Sequence, residues 1–446
     1  MNITDFLDTK YRDFAISTIE ARAIPSVIDG FKPSQRKIIC ASKNIWKNDS
    51  DKILKVFQVS GIVASTMFYH HGSQSLDAAI VNMTQSFKNN IPLFEQDGQF
   101  GSLRSPDAGA SRYIGVKLSK SFNKVYKDFE LLHQIEEDGQ KAEFEYLLPI
   151  IPMVLINGTS GLAVGFASMI LNRDVMDIIN ACLKILNGKK LKPSDIKPHI
   201  NEFNGEFIQD KDNNKKWYMR GGFKRLNSNT IVINEIPPSM TYEKYEAVID
   251  KLIDEKKILS YEDNSKDNIN YIIKFNRNVL NTLSDDDIIK MFKLEESITE
   301  IYSTLNENDK LMIFDDVIDI INYFVKFRLP FYEKRKELML KQLEKELSII
   351  NNRLKFIQYI IEGKLKINNV PKKEIIDNLV AMAFDKIDNS YDYLLNMHIY
   401  SLTKELYNQL KADKEQKDKE YEALKQKEYK QMYIEELEYL KKDFKC

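Results

Sequence analysis

Asp107-Ala108-Gly109-Ala110-Ser111-Arg112-Tyr113-Ile114-Gly115-Val116-Lys117-Leu118 is a run of small residues that leads into an arginine–tyrosine pair and a short apolar stretch. Upstream, Asp97-Gly98-Gln99-Phe100-Gly101-Ser102 is a loop punctuated by glycine. Glycines and small residues let another backbone approach closely. A tyrosine held out of such a loop can set its phenolic oxygen against a phosphorus atom. A phenol has a pKa of about 10, so at neutral pH it needs help to attack. Arg112 offers that help, as a planar fork of donors that favours the phenolate and clamps a phosphate. Packing is the more ordinary role of a tyrosine, and the chain has 22 of them. The pair gains its meaning from the residues around it.

Working outward, the segment before this loop reads as several short helices. Thr4 to Glu20 places Leu7, Tyr11, Phe14 and Thr18 on one face. Pro33 opens a second helix at a position that suits proline. A third covers Lys52 to Ser65. Gly72 marks a turn, and Ser73 is expected to cap a fourth helix bearing Leu76, Ile80, Met83 and Phe87. With the apolar run Tyr113 to Leu118, this order is compatible with a winged helix, which presents a helix and a wing to duplex DNA. Other small α+β domains fit the same periodicity. Leu147 to Ser168 reads as buried strands joined by a tight turn at Asn157-Gly158.

Asp174 to Leu186 reads as a helix, and the polar stretch Asn187 to His199 as a linker and a change of domain. From Glu202 to Asn276 strands are expected, interrupted by a helix over Tyr242 to Asp254, with no chemical constellation. Farther on, Leu340, Leu343, Leu347, Ile350, Leu354, Ile357 and Ile361 alternate three and four apart, a sustained seam that Gly363 ends. The apolar region Val380 to Leu402 follows, then a second charged helix over Leu406 to Leu440 with Asp413 and Lys417 at seam positions. This predicts either an antiparallel arm with a knob at its tip or a plain helical hairpin. The expected class is a multidomain α+β chain.

Composition narrows the function classes. The 446 residues carry a net charge of −1, yet residues 21–127 hold 15 Lys and Arg against 7 Asp and Glu. A basic segment inside a neutral chain points to a local polyanion site or to a solvated charged surface. Three cysteines, Cys40, Cys182 and Cys446, have neither metal spacing nor a disulfide framework. No signal peptide and no apolar run of spanning length is legible. These features predict a soluble protein of a reducing cytoplasm, with no membrane partner.

Three clusters precede Tyr113. In the first, Arg22-Ala23-Ile24-Pro25 and Asp29-Gly30-Phe31-Lys32-Pro33-Ser34-Gln35-Arg36-Lys37 place Arg22, Lys32, Arg36 and Lys37 around a proline-fixed turn and a helix N-terminus, both suited to phosphate. The second is Tyr69-His70-His71-Gly72-Ser73-Gln74-Ser75-Leu76. Its histidines can hydrogen-bond a phosphate or relay a proton, or serve structurally. Metal ligation lacks an acidic or cysteine partner at ligand spacing. The third is the Gly98 to Ser102 loop.

Taken in order, these clusters and Ser111-Arg112-Tyr113-Ile114 resemble the breakage-reunion part of type IIA DNA topoisomerases. Pro149-Ile150-Ile151-Pro152-Met153-Val154-Leu155-Ile156-Asn157-Gly158-Thr159-Ser160-Gly161-Leu162 and Tyr393-Leu394-Leu395-Asn396-Met397-His398-Ile399-Tyr400-Ser401-Leu402 extend the resemblance. It is strong from Arg22 to Ser168 and weak from Lys189 to about Lys310. The contiguous His70-His71 is nearer the eukaryotic enzymes than gyrase. The resemblance implies a nucleophilic role for Tyr113, assisted by Arg112. It implies DNA binding by Arg22, Lys32, Arg36, Lys37, His70, His71 and Ser75, and a wedge between base steps at Leu162, where the family has isoleucine.

The same resemblance implies three parts. Residues 1–168 would be a winged-helix cleavage domain and 169–315 a tower-like α+β domain. Residues 316–446 would be a coiled-coil arm with a dimerisation knob at about 364–405. No Gly-rich ATP site and no Glu-Gly-Asp…Asp-x-Asp metal cluster is found. Mg²⁺ and ATP are therefore expected on a separate ATPase and metal-binding subunit, with no metal ligands on this chain. That division, together with an end soon after the second arm helix, is similar to the T-even-type bacteriophage branch. Double-stranded DNA, a second copy of the chain and that subunit are the expected partners. The rival expectation is an inert DNA-binding coiled-coil scaffold.

Overall fold

Pro33, with φ already suited to a first helical turn, opens a helix that runs Pro33–Ile45. It packs with the helices Val56–Thr66 and Ser73–Thr84. Ile38, Ile39, Val59, Val63, Leu76 and Ile80 are buried among these three helices at helical spacing. Strand Gly115–Leu118 lies at the centre of a three-stranded antiparallel sheet, with Leu54–Lys55 on one side and Phe94–Asp97 on the other. The computed structural model describes residues 3–19, 23–47, 51–266, 268–387, 389–397 and 404–444.

Two local expectations change. The third helix starts at Val56 and not Lys52, because Leu54 and Lys55 pair with Val116 and Gly115. Ser73 does not cap the fourth helix: Gly72 is the N-cap residue, and no side chain caps it. Ser75 Oγ instead turns back to the Gly72 carbonyl at 2.7 Å. The first segment is helical over Ile3–Phe6, Leu7–Tyr11 and Arg12–Thr18, but Tyr11 and Phe14 on its apolar face are exposed.

Leu147 to Ser168 is only partly strand. Met153–Ile156 is one buried helical turn, and the hairpin Thr159–Leu162 with Ala167–Ile170 follows. Gly158 has φ +60°, and a Cβ there would collide with the Ile170 carbonyl and Asn172. The expected strands of the middle region are present. Glu206–Gln209, Lys216–Arg220 and Glu295–Thr299 form one sheet. Gly222–Asn227, Thr230–Glu235, Tyr271–Lys274 and Ser260–Asp263 form another. Helix Tyr242–Asp254 covers the second sheet with Tyr245, Ile249 and Leu252.

The polar stretch after helix Val175–Leu186 does not separate two bodies. The chain divides into two compact units, residues 1–328 with 436–446, and residues 329–435. Inside the first, Arg173 and Glu300 form a fully buried ion pair at 2.7 Å. Ser26 bridges to Leu305 and Met169 to Ile301. Removing one member of such a buried pair costs about 3–5 kcal/mol, which couples the two regions firmly. Arg328, also fully buried, donates to the Pro149 carbonyl and to Asp128 and holds the start of helix Val317–Ile361 in this unit.

In the second unit, the same helix and helix Lys404–Gln426 run in opposite directions. Lys336 contacts the carbonyls of Lys425 and Lys427, Glu344 receives Tyr421, and Glu346 pairs with Lys417. Ile350, Leu354 and Ile357 of the expected seam pack on Leu406 and Leu410, whereas Ile361 is exposed. Gly363, φ +70°, follows the helix end. A small core joins Phe356 of the last turns of that helix to Leu365, Leu379, Phe384, Tyr391 and Leu394 beyond it, with Val380 exposed. The second charged helix is not continuous: it breaks after Gln426 and resumes at Tyr429.

Candidate active site

The loop before Tyr113 is fixed by its own main chain. Gly98 and Gly101 have φ of +100° and +81°, and a Cβ on Gly101 would meet the Ser105 carbonyl at 2.7 Å. Gly109 N–H donates to the Gln99 carbonyl at 2.9 Å. Gln85 reaches across from the end of helix Ser73–Thr84 to the carbonyls of Phe100 and Pro106. Arg104, buried, donates to the carbonyls of Ile236, Pro237 and Met240 and to Glu235.

Tyr113 itself is tied on both sides. Its N–H donates to the Ala110 carbonyl at 2.8 Å, and its carbonyl accepts from Lys55 Nζ at 2.8 Å. Lys55 Nζ also stands 3.6 Å from Asp97. Phe57 and Val56 donate to the carbonyls of Ser111 and Ile114. Tyr113 nevertheless remains 71% exposed. Exposed Arg112 places its guanidinium carbon 5.6 Å from the ring centroid. Tyr126 shows the opposite arrangement. It is buried between Phe31 and Phe122, burial pushes its pKa well up, and its hydroxyl donates to the Asp29 carbonyl.

The first basic cluster is less available than its sequence implies. Asp29, fully buried, accepts from Arg36 Nε at 2.7 Å and from the N–H groups of Phe31 and Leu147. Arg36 is thus a buried partner of Asp29. Burial opposes its charge, but the Asp29 carboxylate more than offsets that and raises its pKa. Lys37 is likewise engaged: its ammonium bonds Glu143 and the Met67 carbonyl, both at 2.7 Å. Arg22 lies outside the described residues.

His70, His71 and Ser75 are exposed and share a groove of about 670 Å³ with Lys37, Tyr69 and Glu137. His70 Nε2 is 3.5 Å from Glu137, His71 sits edge-on to Tyr69, and the Tyr69 hydroxyl meets Ser75 Oγ at 2.8 Å. Lys32 belongs to another group. Its ammonium donates to the Ser160 carbonyl at 2.7 Å, beneath the hairpin that carries Leu162. Leu162 is 83% exposed, and the adjacent Gly161 lies so close to the Ala23 carbonyl that a Cβ would collide with it. Among the described residues no three His, Cys, Asp or Glu side chains converge where they could hold a metal ion.

The family model for the A-type subunits of DNA gyrase and topoisomerase IV matches residues 22–440. The chain belongs to that family. The DNA topoisomerase medium subunit of Enterobacteria phage T4 is 32% identical over 448 residues, and the match covers 99% of each chain. The mitochondrial DNA topoisomerase 2 of Dictyostelium discoideum is 33% identical over 94% of this chain, which spans 33% of that protein's length. A crystal structure of the DNA-binding, cleavage and re-ligation domain of Plasmodium falciparum topoisomerase II matches with a TM-score of 0.83. It is 31% identical, and the match covers 96% of this chain and 63% of that one. The family match therefore runs through the middle third, where motifs are sparse. Among the described residues no helix is long and apolar enough to cross a membrane.

Sequence reasoning missed Lys55 and Arg104. Each acts on a main chain distant in sequence, 58 residues away for Lys55 and at least 132 for Arg104. Neither sits in a spacing pattern that could have marked it.

Proposed function

We propose that the chain is the DNA-cleaving subunit of a type II topoisomerase. The observation that carries this reading is Tyr113: its main chain is tied on both sides, and its ring faces solvent beside Arg112. The Tyr113 oxygen bonds to phosphorus and the bond from phosphorus to the 3′ oxygen breaks. The phenolic proton is lost and a 3′-hydroxyl is released, leaving a 5′-phosphotyrosyl link. The reverse step reseals the strand, and because one ester replaces another no energy source is needed for it. Arg112 stabilises charge on the phosphate as it passes through the transition state. Lys55 positions the nucleophile by fixing its carbonyl.

The three helices and the sheet around Gly115–Leu118 act as a winged helix, and the middle sheets as a tower-like part. The antiparallel helices and their small core are a coiled-coil arm with a dimerisation knob. Two copies cut opposite strands, a second duplex passes, and Leu162 on each side exchanges base stacking for a bend, a term of a few kcal/mol. Lys32, His70, His71 and Ser75 hold the duplex backbone. Mg²⁺ and ATP belong to a separate partner subunit, where the metal supplies charge stabilisation.

The test mixes the reconstituted enzyme with labelled supercoiled DNA and Mg²⁺, then adds denaturant. Wild type should carry trapped label on this chain, and Tyr113→Phe should carry none, because no phenolate remains. Label on Tyr113→Phe at wild-type yield would overturn the assignment. No label on wild type would favour the inert scaffold.

A further inference from the structure

Between the start of helix Pro33–Ile45, the turn after helix Ser73–Thr84 and the hairpin that carries Leu162 lies a cleft of about 320 Å³. Two lysines line it, Lys32 and Lys88. Lys32 donates to the Ser160 carbonyl and Lys88 to Asn82 Oδ1, each at 2.7 Å. Both acceptors are neutral, and an ammonium has three donors. Among the described residues neither lysine has a carboxylate within ion-pair distance. The one carboxylate lining the cleft, Asp29, spends its oxygens on Arg36 and on the N–H groups of Phe31 and Leu147. Burial alone lowers the pKa of both lysines, as expected of cations lacking a counter-charge. The cleft is a concave cationic site with the chemistry to bind an anion.

Its position identifies the anion. Gly158, Thr159 and Ser160 form one wall, and Leu162 stands two residues beyond Ser160 on the same strand. Two strand residues advance about 7 Å, roughly two base-pair rises of 3.4 Å. A duplex that receives Leu162 between two base pairs would thus carry its flanking backbone over the cleft.

We propose that Lys88 joins Lys32 in a binding subsite for one backbone phosphate of the cleaved duplex, beside the step that Leu162 enters. The inference rests on the DNA-cleaving reading above. Charge there favours the bent duplex, because bending presses flanking phosphates toward the protein.

The test is a salt titration of the full chain binding a short duplex, followed by fluorescence anisotropy. Neutralising one phosphate contact changes the slope of log K against log salt by about 0.9. Lys88→Met should flatten the slope by that amount, and Lys88→Arg should restore it, with thermal unfolding of both variants matching wild type. A purely structural lysine would move the unfolding temperature and leave the slope alone. Should Lys88→Met fail to fold, Lys88→Gln against Lys88→Arg makes the same comparison. A wild-type slope in the neutral variant, with wild type binding DNA, would overturn the subsite and leave the DNA reading standing. A wild type without salt-dependent binding would overturn both.

Discussion

Residues 29–37 and 107–115 look alike in sequence: each opens on an aspartate and sets an arginine and other polar side chains beside a glycine. In the structure they face opposite ways. In the first, Arg36 turns inward, where Asp29 gathers it and two main-chain N–H groups into a buried knot. The second has its main chain held by Lys55, by the N–H groups of Val56 and Phe57 and by the Gln99 carbonyl, and leaves Arg112 and Tyr113 outside. A charge that supports the fold has its partner within the chain. A charge that supports chemistry is left for a substrate, and the supporting bonds are made by its neighbours.

Substitutions can break this contrast. Tyr113→Phe sits at the extreme, with cleavage expected to vanish and stability to stay within about 0.5 kcal/mol of wild type, as for most surface changes. Denaturant titration beside the covalent-trapping assay measures both. Arg36→Ala should behave in the opposite sense: it strands the Asp29 carboxylate and should lower stability by about 3–5 kcal/mol. An Arg36→Ala protein as stable as wild type but defective in DNA binding would return Arg36 to the DNA surface. Arg112→Ala keeps the nucleophile and removes its charged neighbour. Cleavage rates should fall by about 10²–10³, the cost of losing one transition-state donor, with the unfolding midpoint unchanged. Leu162→Ala is the mildest. Bending, read by end-to-end energy transfer in a labelled duplex, should weaken by a few kcal/mol at most. If instead thermal stability drops and bending persists, Leu162 is a packing residue.

What could be read from the sequence follows the range of the interactions. Pro33 opening its helix, the strands at Lys216–Arg220 and Thr230–Glu235, and the helix at Tyr242–Asp254 rest on local pattern, and all were legible. The inward turn of Arg36 was not. Its partner is seven residues away, but Leu147, which completes the knot, is 118 residues from Asp29. The expected linker after Asn187 failed for the same reason, since Arg173–Glu300 spans 127 residues of chain. The break after Gln426 carries neither glycine nor proline. Lys336, from the opposing helix, bonds the carbonyls of Lys425 and Lys427 there, a replacement no periodicity could signal. Of the candidate site, the exposed pair Arg112–Tyr113 was legible and its supports Lys55 and Arg104 were not.

The approach of Gly161 to Ala23 has a consequence for how this chain can vary. The hairpin rests on main chain alone at that point, since any side chain at 161 would collide with the Ala23 carbonyl. The neighbouring Leu162 touches open solvent. Packing therefore bars substitution at one position and places no limit on the next. Leucine, isoleucine or methionine can be exchanged at the tip, while the height of the tip above the protein is set by a residue that has no alternative.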